Sequence, residues 1–315
     1  MPGPQPPLVQ RSRAHRERVR EVLDRVRADC PVAERRARDP VEHVRAFATP
    51  HERELVGLLA SALAFGNVTT IRAKIRDVLD RLDHRPAAHA ESRAELDRRL
   101  EGFVHRLFRG EDVAGLLFGA RACQRRYGSL EAVFVEGLAR AAAAEGPRDA
   151  TAWEALAFLV DEVRREGGLD RPTARRGPAH LLPDVRRGGG AKRLFLFLRW
   201  MIRPDDGVDL GVWTRSSLSP SLLECPVDTH ILKLSRNLGL TARADAGRRT
   251  VREITASLAT LDAHDPVKYD FSLCHLGMAT RCRERFDGAV CGGCAVRPAC
   301  RHATPHARRL EIVPA

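Results

Sequence analysis

The chain is 315 residues long, and its 53 Lys and Arg against 41 Asp and Glu leave a formal surplus of +12. With 43% apolar residues it can bury a core in one or two domains, which excludes a disordered basic tail. No apolar run approaches the roughly 18 residues of a membrane span, and the first thirty residues hold no apolar signal region.

The expected address is therefore the cytoplasm. Clustered cysteines there more often bind metal than pair as disulfides. The charge surplus favours a polyanionic partner, most simply nucleic acid. Between Arg171 and Arg193 seven basic residues face one acid, Asp184. Pro172, Gly177, Pro178, Pro183 and Gly188-Gly189-Gly190 break the stretch, so it is not an amphipathic membrane helix.

In chain order, residues 1–14 read as a flexible basic tail. Val19, Val22, Leu23 and Val26 then recur at helical spacing. Leu55, Leu58, Leu59, Ala62 and Leu63 form a second stripe, stopped by Gly66. Asn67 can cap the next helix, whose stripe is Ile71, Ile75, Val78, Leu79 and Leu82. His84 to Ser92 reads as a connector. Helices are expected at 93–108, 111–125, 129–143 and 152–166. Lys192 to Arg203 is apolar all round and suits a buried helix closed by Pro204. Ser217 to Pro226 reads as loop or a short helix. Helices at Thr229–Leu238, Thr250–Leu261 and Val267–Met278 complete the set. No strand alternates over a useful length, and Ala, Leu, Arg and Glu dominate, so the fold class is all-α.

Five of the eight cysteines fall in the last 42 residues. Cys282, Cys291, Cys294 and Cys300 lie on a short loop containing Gly and Pro, and four thiolates in reach suit a [4Fe-4S] cluster or tetrahedral Zn2+. Spacing does not choose between them. Cys30, Cys123, Cys225 and Cys274 read as small buried hydrophobes.

The Cys-x2-Cys-x5-Cys tail of this run resembles the iron–sulfur loop of endonuclease III and the adenine DNA glycosylases, although the gap before it is eight residues here and six there. Pro226-Val227-Asp228-Thr229-His230-Ile231 looks like the segment that carries the catalytic aspartate of the helix–hairpin–helix glycosylases. Leu58 to Ala62 followed by Asn67 looks like their early helix pair, whose connecting loop enters DNA. The pattern is closer still to an uncharacterised family of glycosylase-like proteins, over roughly residues 39–300. It is carried by Asp39 to Glu42, Ala64 to Asn67, Lys192 to Met201, Val208 to Trp213 and Asp265 to Phe271. The Lys192 helix also looks like the one bearing the catalytic lysine in the archaeal 8-oxoguanine glycosylases. The hairpin departs from the common pattern: Leu182-Pro183 is kept, but the loop through Gly188-Gly189-Gly190 is longer.

The resemblance implies a two-lobed helix–hairpin–helix glycosylase-like fold. Residues 15–48 and 230–305 would form the lobe with the metal loop, 49–229 the lobe with the hairpin, and 306–315 a tail. It further implies a base-excision DNA glycosylase with possible abasic-site lyase activity, a monomer acting on damaged double-stranded DNA at the nucleoid. A target base must leave the stack to be reached. Arg186, Arg187, Arg193 and the amides of Gly188, Gly189 and Gly190 are the expected phosphate clamps, with the loop from Leu63 to Asn67 as the wedge. Asp228 would stabilise positive charge on the sugar, and Lys192, as a neutral amine, would attack C1′. Bland readings stand beside these. Asp228 can simply cap the following helix, and Lys192 can contact phosphate or snorkel. His230 reads as structural, and Trp200 and Met201 as core. Asp205, Asp206 and Asp209 form either a solvated turn or a device orienting Lys192. Trp213 could stack on a flipped base. The alternative function is a nucleic-acid binder with a glycosylase-like fold, a structural metal site and no catalysis.

Overall fold

The computed structural model describes residues 7–145, 151–280 and 282–303. The expected tail at 306–315 and the first six residues lie outside these. Sixteen α-helices occur among the described residues. In chain order they begin with α1 (Arg13–Ala28), α2 (Val32–Arg36), α3 (Val41–Arg45), α4 (Pro50–Leu63), α5 (Val68–Arg81), α6 (Pro86–His89) and α7 (Arg93–Arg99). A two-stranded antiparallel hairpin, β1 (Val104–His105) and β2 (Phe108–Arg109), follows. Then come α8 (Gly110–Tyr127), α9 (Leu130–Glu145), α10 (Ala152–Gly167), α11 (Gly177–Leu181), α12 (Lys192–Ile202), α13 (Thr229–Leu238), α14 (Arg248–Ala259), α15 (Asp270–Thr280) and α16 (Gly288–Cys291). The all-α reading holds, since the hairpin pairs only two residues a side. Among the described residues no helix is long and apolar enough to cross a membrane.

Local chemistry explains most boundaries. Ser12 caps α1 by accepting from the His15 N–H, and Val19, Val22, Leu23 and Val26 are buried. Thr49 caps α4, with Pro50 at the first helical position. Asn67 caps α5, accepting from the N–H groups of Thr69 and Thr70 at 2.9 and 3.4 Å. Thr151 and Glu154 form a capping box on α10, which ends on Gly168 in the left-handed region.

Three expectations need correction. Within 1–14, Leu8–Gln10 form a 3-10 turn and Leu8 is fully buried, so this part of the tail is anchored by apolar burial. The connector at 84–92 holds the short helix α6. The helix expected over 93–108 ends at Arg99, because Phe103 and Phe108 are both buried and the chain reverses between them at Arg106 (φ +54).

The chain divides into two compact units. The first holds the described residues of Met1–Pro31, Gly188–Lys192 and Ser219–Ala315; the second is Val32–Arg187 and Arg193–Leu218. In the second unit α8 and α10 cross closely. A Cβ on Gly119 would collide with the Val163 carbonyl, and one on Gly167 with the Gly115 carbonyl, so the crossing depends on bare backbone. Trp153 and Phe195 meet edge to face at 4.7 Å in the core beside α12. In the first unit the hydroxyl of Tyr269, the residue before α15, donates to Asp24 on α1 at 2.7 Å, and Gly277 lets α15 approach His230 on α13.

Candidate functional site

In the first unit α13 begins at Thr229 because Asp228 caps it. Asp228 Oδ1 accepts from the N–H groups of His230 and Ile231, both at 2.8 Å. The capping reading of this residue is therefore structural fact. The other oxygen, Oδ2, lies 3.3 Å from Cys274 Sγ on α15, where the thiol is the donor. Burial, then the charges of Asp228 and Asp270, hold the Cys274 thiol well above its ordinary range, while the Lys192 ammonium pulls it down. Cys274 thus stays protonated at neutral pH and is a donor rather than a nucleophile. Asp270 is buried, with Oδ1 at 4.0 Å from Cys225 Sγ.

Lys192 is half-buried and is the first residue of α12. The residue before it, Ala191, sits in the left-handed region at φ +47, a conformation that costs about 1–2 kcal/mol outside glycine. That turn sets the direction from which the lysine enters. No hydrogen bond or ion pair engages its amine among the described residues, yet its charge is felt at Cys274. Asp228 contacts the Cys274 thiol directly, whereas Lys192 acts on it only through its charge, and in that sense the three form one constellation.

The glycine loop that precedes Lys192 packs within the same unit. Gly188 O accepts from Arg248 N–H at 2.9 Å, and Gly189 pairs antiparallel with Gly247. A Cβ on Gly190 would strike the Ala246 carbonyl, whereas Gly188 and Gly189 face open space. Close backbone packing therefore accounts for Gly190, and a left-handed φ of +81 for Gly188.

Several expected contacts are occupied otherwise. Arg186 in the second unit is held by Asp161 at 2.8 and 2.7 Å and by Asp184 at 2.7 Å. Arg193 donates to the carbonyls of Ala62 and His180, and its guanidinium sits 5.8 Å over the Phe108 ring. It anchors helix ends inside the unit instead of clamping phosphate. Arg187 is exposed, with only a long 3.8 Å approach to Asp184. Asn67 is exposed, and its side chain is spent on the cap.

Trp213 is buried between Phe134 and Phe197 and donates its indole N–H to Glu54 at 2.8 Å, so it is core and does not stack on a base. Asp209 is fully buried and paired with Arg199 at 3.0 Å and with Arg203; Asp205 pairs with Arg45 at 2.8 Å. Asp205 and Asp206 are exposed and accept from the backbone N–H groups of Gly207, Val208 and Asp209, as a solvated turn would, whereas Asp209 is core; none of the three pairs with the lysine. Trp200 and Met201 are fully buried core, as expected. Cys123 is core too, its thiol pushed up to about 12 by burial.

The C-terminal loop of the first unit carries the four thiols. Cys291 and Cys300 are buried, and Cys282 and Cys294 half-buried. Burial raises the Cys294 thiol, and the neighbouring Cys300, Cys282 and Cys291 raise it further. Asn237 Nδ2 donates to Cys282 Sγ at 3.1 Å, and the Asp287 N–H to Cys291 Sγ at 3.5 Å. Donors of this kind suit thiolates. Among the described residues, however, no three His, Cys, Asp or Glu side chains stand ready to hold one metal ion. The donor set fits a thiolate-bound centre in chemistry.

Residues 39–279 match the family described as "Protein of unknown function (DUF2400)". The chain belongs to this family. No curated protein matches it, and no solved structure does. The DUF2400 span contains Lys192, Asp228 and Cys274 and stops before the four-thiol loop, so the constellation lies inside the family's common region and the loop outside it.

Sequence reasoning missed Cys274. It lies among Phe271, Leu273 and Leu276 on α15, which suggested core, and it gives no signal until the fold brings it to Asp228.

Proposed function

We propose that this DUF2400 protein is a base-excision DNA glycosylase with abasic-site lyase activity, acting as a monomer on damaged duplex DNA in the cytoplasm. The observation that supports the reading is the Asp228 carboxylate, fixed at its helix cap and 3.3 Å from Cys274, a thiol on which the Lys192 charge also acts. Asp228 and Lys192 are the two residues that the sequence resemblance singles out.

The chemistry follows from what each group can do. Asp228 is pinned through one oxygen by two helix N–H groups and through the other by a neutral thiol. A carboxylate held in this way suits a fixed charge, stabilising the positive sugar as the glycosidic bond breaks. Lys192, in its neutral form, forms a bond to C1′ while the base departs with the bonding pair and takes up a proton. Loss of the amine proton and opening of the sugar ring give a Schiff base. Elimination of the 3′ phosphate then nicks the strand, and water releases the lysine. Arg187 and the amides of Gly188 and Gly189 would meet phosphate.

The thiol loop would hold a [4Fe-4S] cluster, or Zn2+, as a structural brace. Its ligands would be Cys282, Cys291, Cys294 and Cys300, and no catalytic step runs through it. Iron with acid-labile sulfide in the purified protein supports the cluster; a metal-free, stable protein refutes it.

Duplexes carrying 8-oxoguanine, uracil, thymine glycol or an abasic site test the enzyme. Release of one base, lost in Lys192→Gln and Asp228→Asn, is expected. No reaction on any duplex, with salt-sensitive binding retained, refutes catalysis and leaves the non-catalytic binder.

A further inference from the structure

Five large apolar side chains are exposed among the described residues, and four of them lie on two segments of the second unit. Phe65 and Val68 flank the turn into α5, at 39% and 36% exposure. Val104 and Leu107 lie on the β1–β2 hairpin, at 52% and 46%. Arg106 joins the two segments: its guanidinium sits 5.1 Å over the Phe65 ring. Beneath it, the His105 ring nitrogen Nε2 lies 3.2 Å from the Leu63 carbonyl. Exposed apolar groups gathered in this way mark an interaction surface rather than scattered surface residues.

Beside the hairpin is a cleft of about 870 Å³ whose walls carry Arg93, Arg106, Arg109, Arg175 and Arg176. Arg93 is paired with Asp97 at 3.0 Å, and Arg175 with Asp112 and Glu111. These two brace the walls. Arg106, Arg109 and Arg176 are exposed and have no ion-pair partner among the described residues; of the lining acids only Glu101 stands outside the pairs above. The surface thus joins three exposed guanidiniums, none in an ion pair among the described residues, to protruding apolar tips. It demands a partner with repeated negative charge and flat apolar faces between the charges. A nucleic-acid strand meets both demands, with phosphates for the guanidiniums and bases for the apolar groups.

We propose that the β1–β2 hairpin is a nucleic-acid-contacting element, in which Leu107 enters a base step while Arg106, Arg109 and Arg176 grip the flanking phosphates. Leu is a side chain that wedges between bases in this manner. The proposal rests on the nucleic-acid reading above but not on Asp228 or Lys192, which belong to the other unit.

The test uses the full chain and a fluorescein-labelled duplex with one mismatched pair, read by anisotropy across salt. The Arg106→Ala/Arg109→Ala/Arg176→Ala variant should bind at least about tenfold more weakly at low salt. Its slope of log K against log salt should shrink by about 2.7, which is 0.9 for each phosphate contact. Because Arg106 also covers Phe65, the Arg109→Ala/Arg176→Ala pair is measured alongside and should lose about 1.8. With 2-aminopurine beside the mismatch, the wild type should raise its fluorescence by unstacking it, and Leu107→Ala should not. Wild-type affinity and slope in both arginine variants would overturn the hairpin proposal and leave the nucleic-acid reading standing. A wild type that binds no duplex at any salt would overturn both.

Discussion

Asp228 carries two functions that substitution can separate. One is the cap: Oδ1 accepts from His230 and Ile231 N–H, both at 2.8 Å. The other is a fixed charge beside Cys274. Asp228→Asn keeps an oxygen at the cap, and asparagine caps a helix as well as aspartate does. It loses the favourable charge at the helix N-terminus, worth about 0.3–1 kcal/mol. Asp228→Ala loses this and the cap, a further 0.5–2 kcal/mol or about 1 typically. At about 2–4 °C per kcal/mol, Asp228→Ala should melt several degrees below Asp228→Asn, and Asp228→Asn close to wild type. Single-turnover base release should nevertheless fall about 10²–10³-fold in both, as when one stabilising group is removed from a charged transition state. Circular-dichroism melts and base release on the reactive duplex give the two readouts. Equal destabilisation of both variants would refute the capping argument. Wild-type release by Asp228→Asn would refute the electrostatic one.

Glu54 accepts from Gln124 Nε2, Trp213 Nε1 and the N–H groups of Leu130 and Glu131, so at about 1 kcal/mol for each bond Glu54→Ala should cost about 4 kcal/mol in urea unfolding; a loss under about 1 kcal/mol would show that the hub is not structural. Burial raises the thiols of Cys123 and Cys274 and, with Asp24, the phenol of Tyr269. The unfolded chain loses these protons from about pH 8.5 for thiols and about 10 for the phenol, while the folded chain keeps them. Stability from these groups is full below pH 8.5 and falls as pH rises further. Urea midpoints that stay flat from pH 8 to 10.5 would contradict the burial of these groups. Gly190→Ala should destabilise by about 1–3 kcal/mol, because its Cβ meets the Ala246 carbonyl, whereas Gly189→Ala, in open space, should stay within about 1 kcal/mol of wild type; the reverse order would contradict the loop packing.

Much of the helical framework is written in short-range chemistry. The stripes of α1, α4 and α5 and the caps Asn67 and Asp228 need only neighbours within a turn or two, and they stand where periodicity puts them. The hairpin at 104–109 escaped because each strand pairs two residues, too few to show alternation. Gly102 and Gly110 around Phe103 and Phe108 were the available signal. Site residues were harder. Arg186 and Arg193 are equally basic in sequence, and only the fold shows that carboxylates or carbonyls already hold them. Trp213 was open to a stacking role until Glu54, 159 positions away, supplied its hydrogen-bond partner. In the acidic run at 205–209, Asp205 and Asp206 face solvent as they read, but Asp209 does not, because Arg199 and Arg203 from α12 and its end neutralise it inside the core.

The most direct measurement is borohydride reduction of the protein mixed with an abasic-site duplex, followed by mass-spectrometric mapping of the adduct. The account predicts a single covalent complex, with the sugar remnant on the peptide that contains Lys192 and none formed by Lys192→Gln. An adduct on any other lysine, or undiminished trapping by Lys192→Gln, would contradict it.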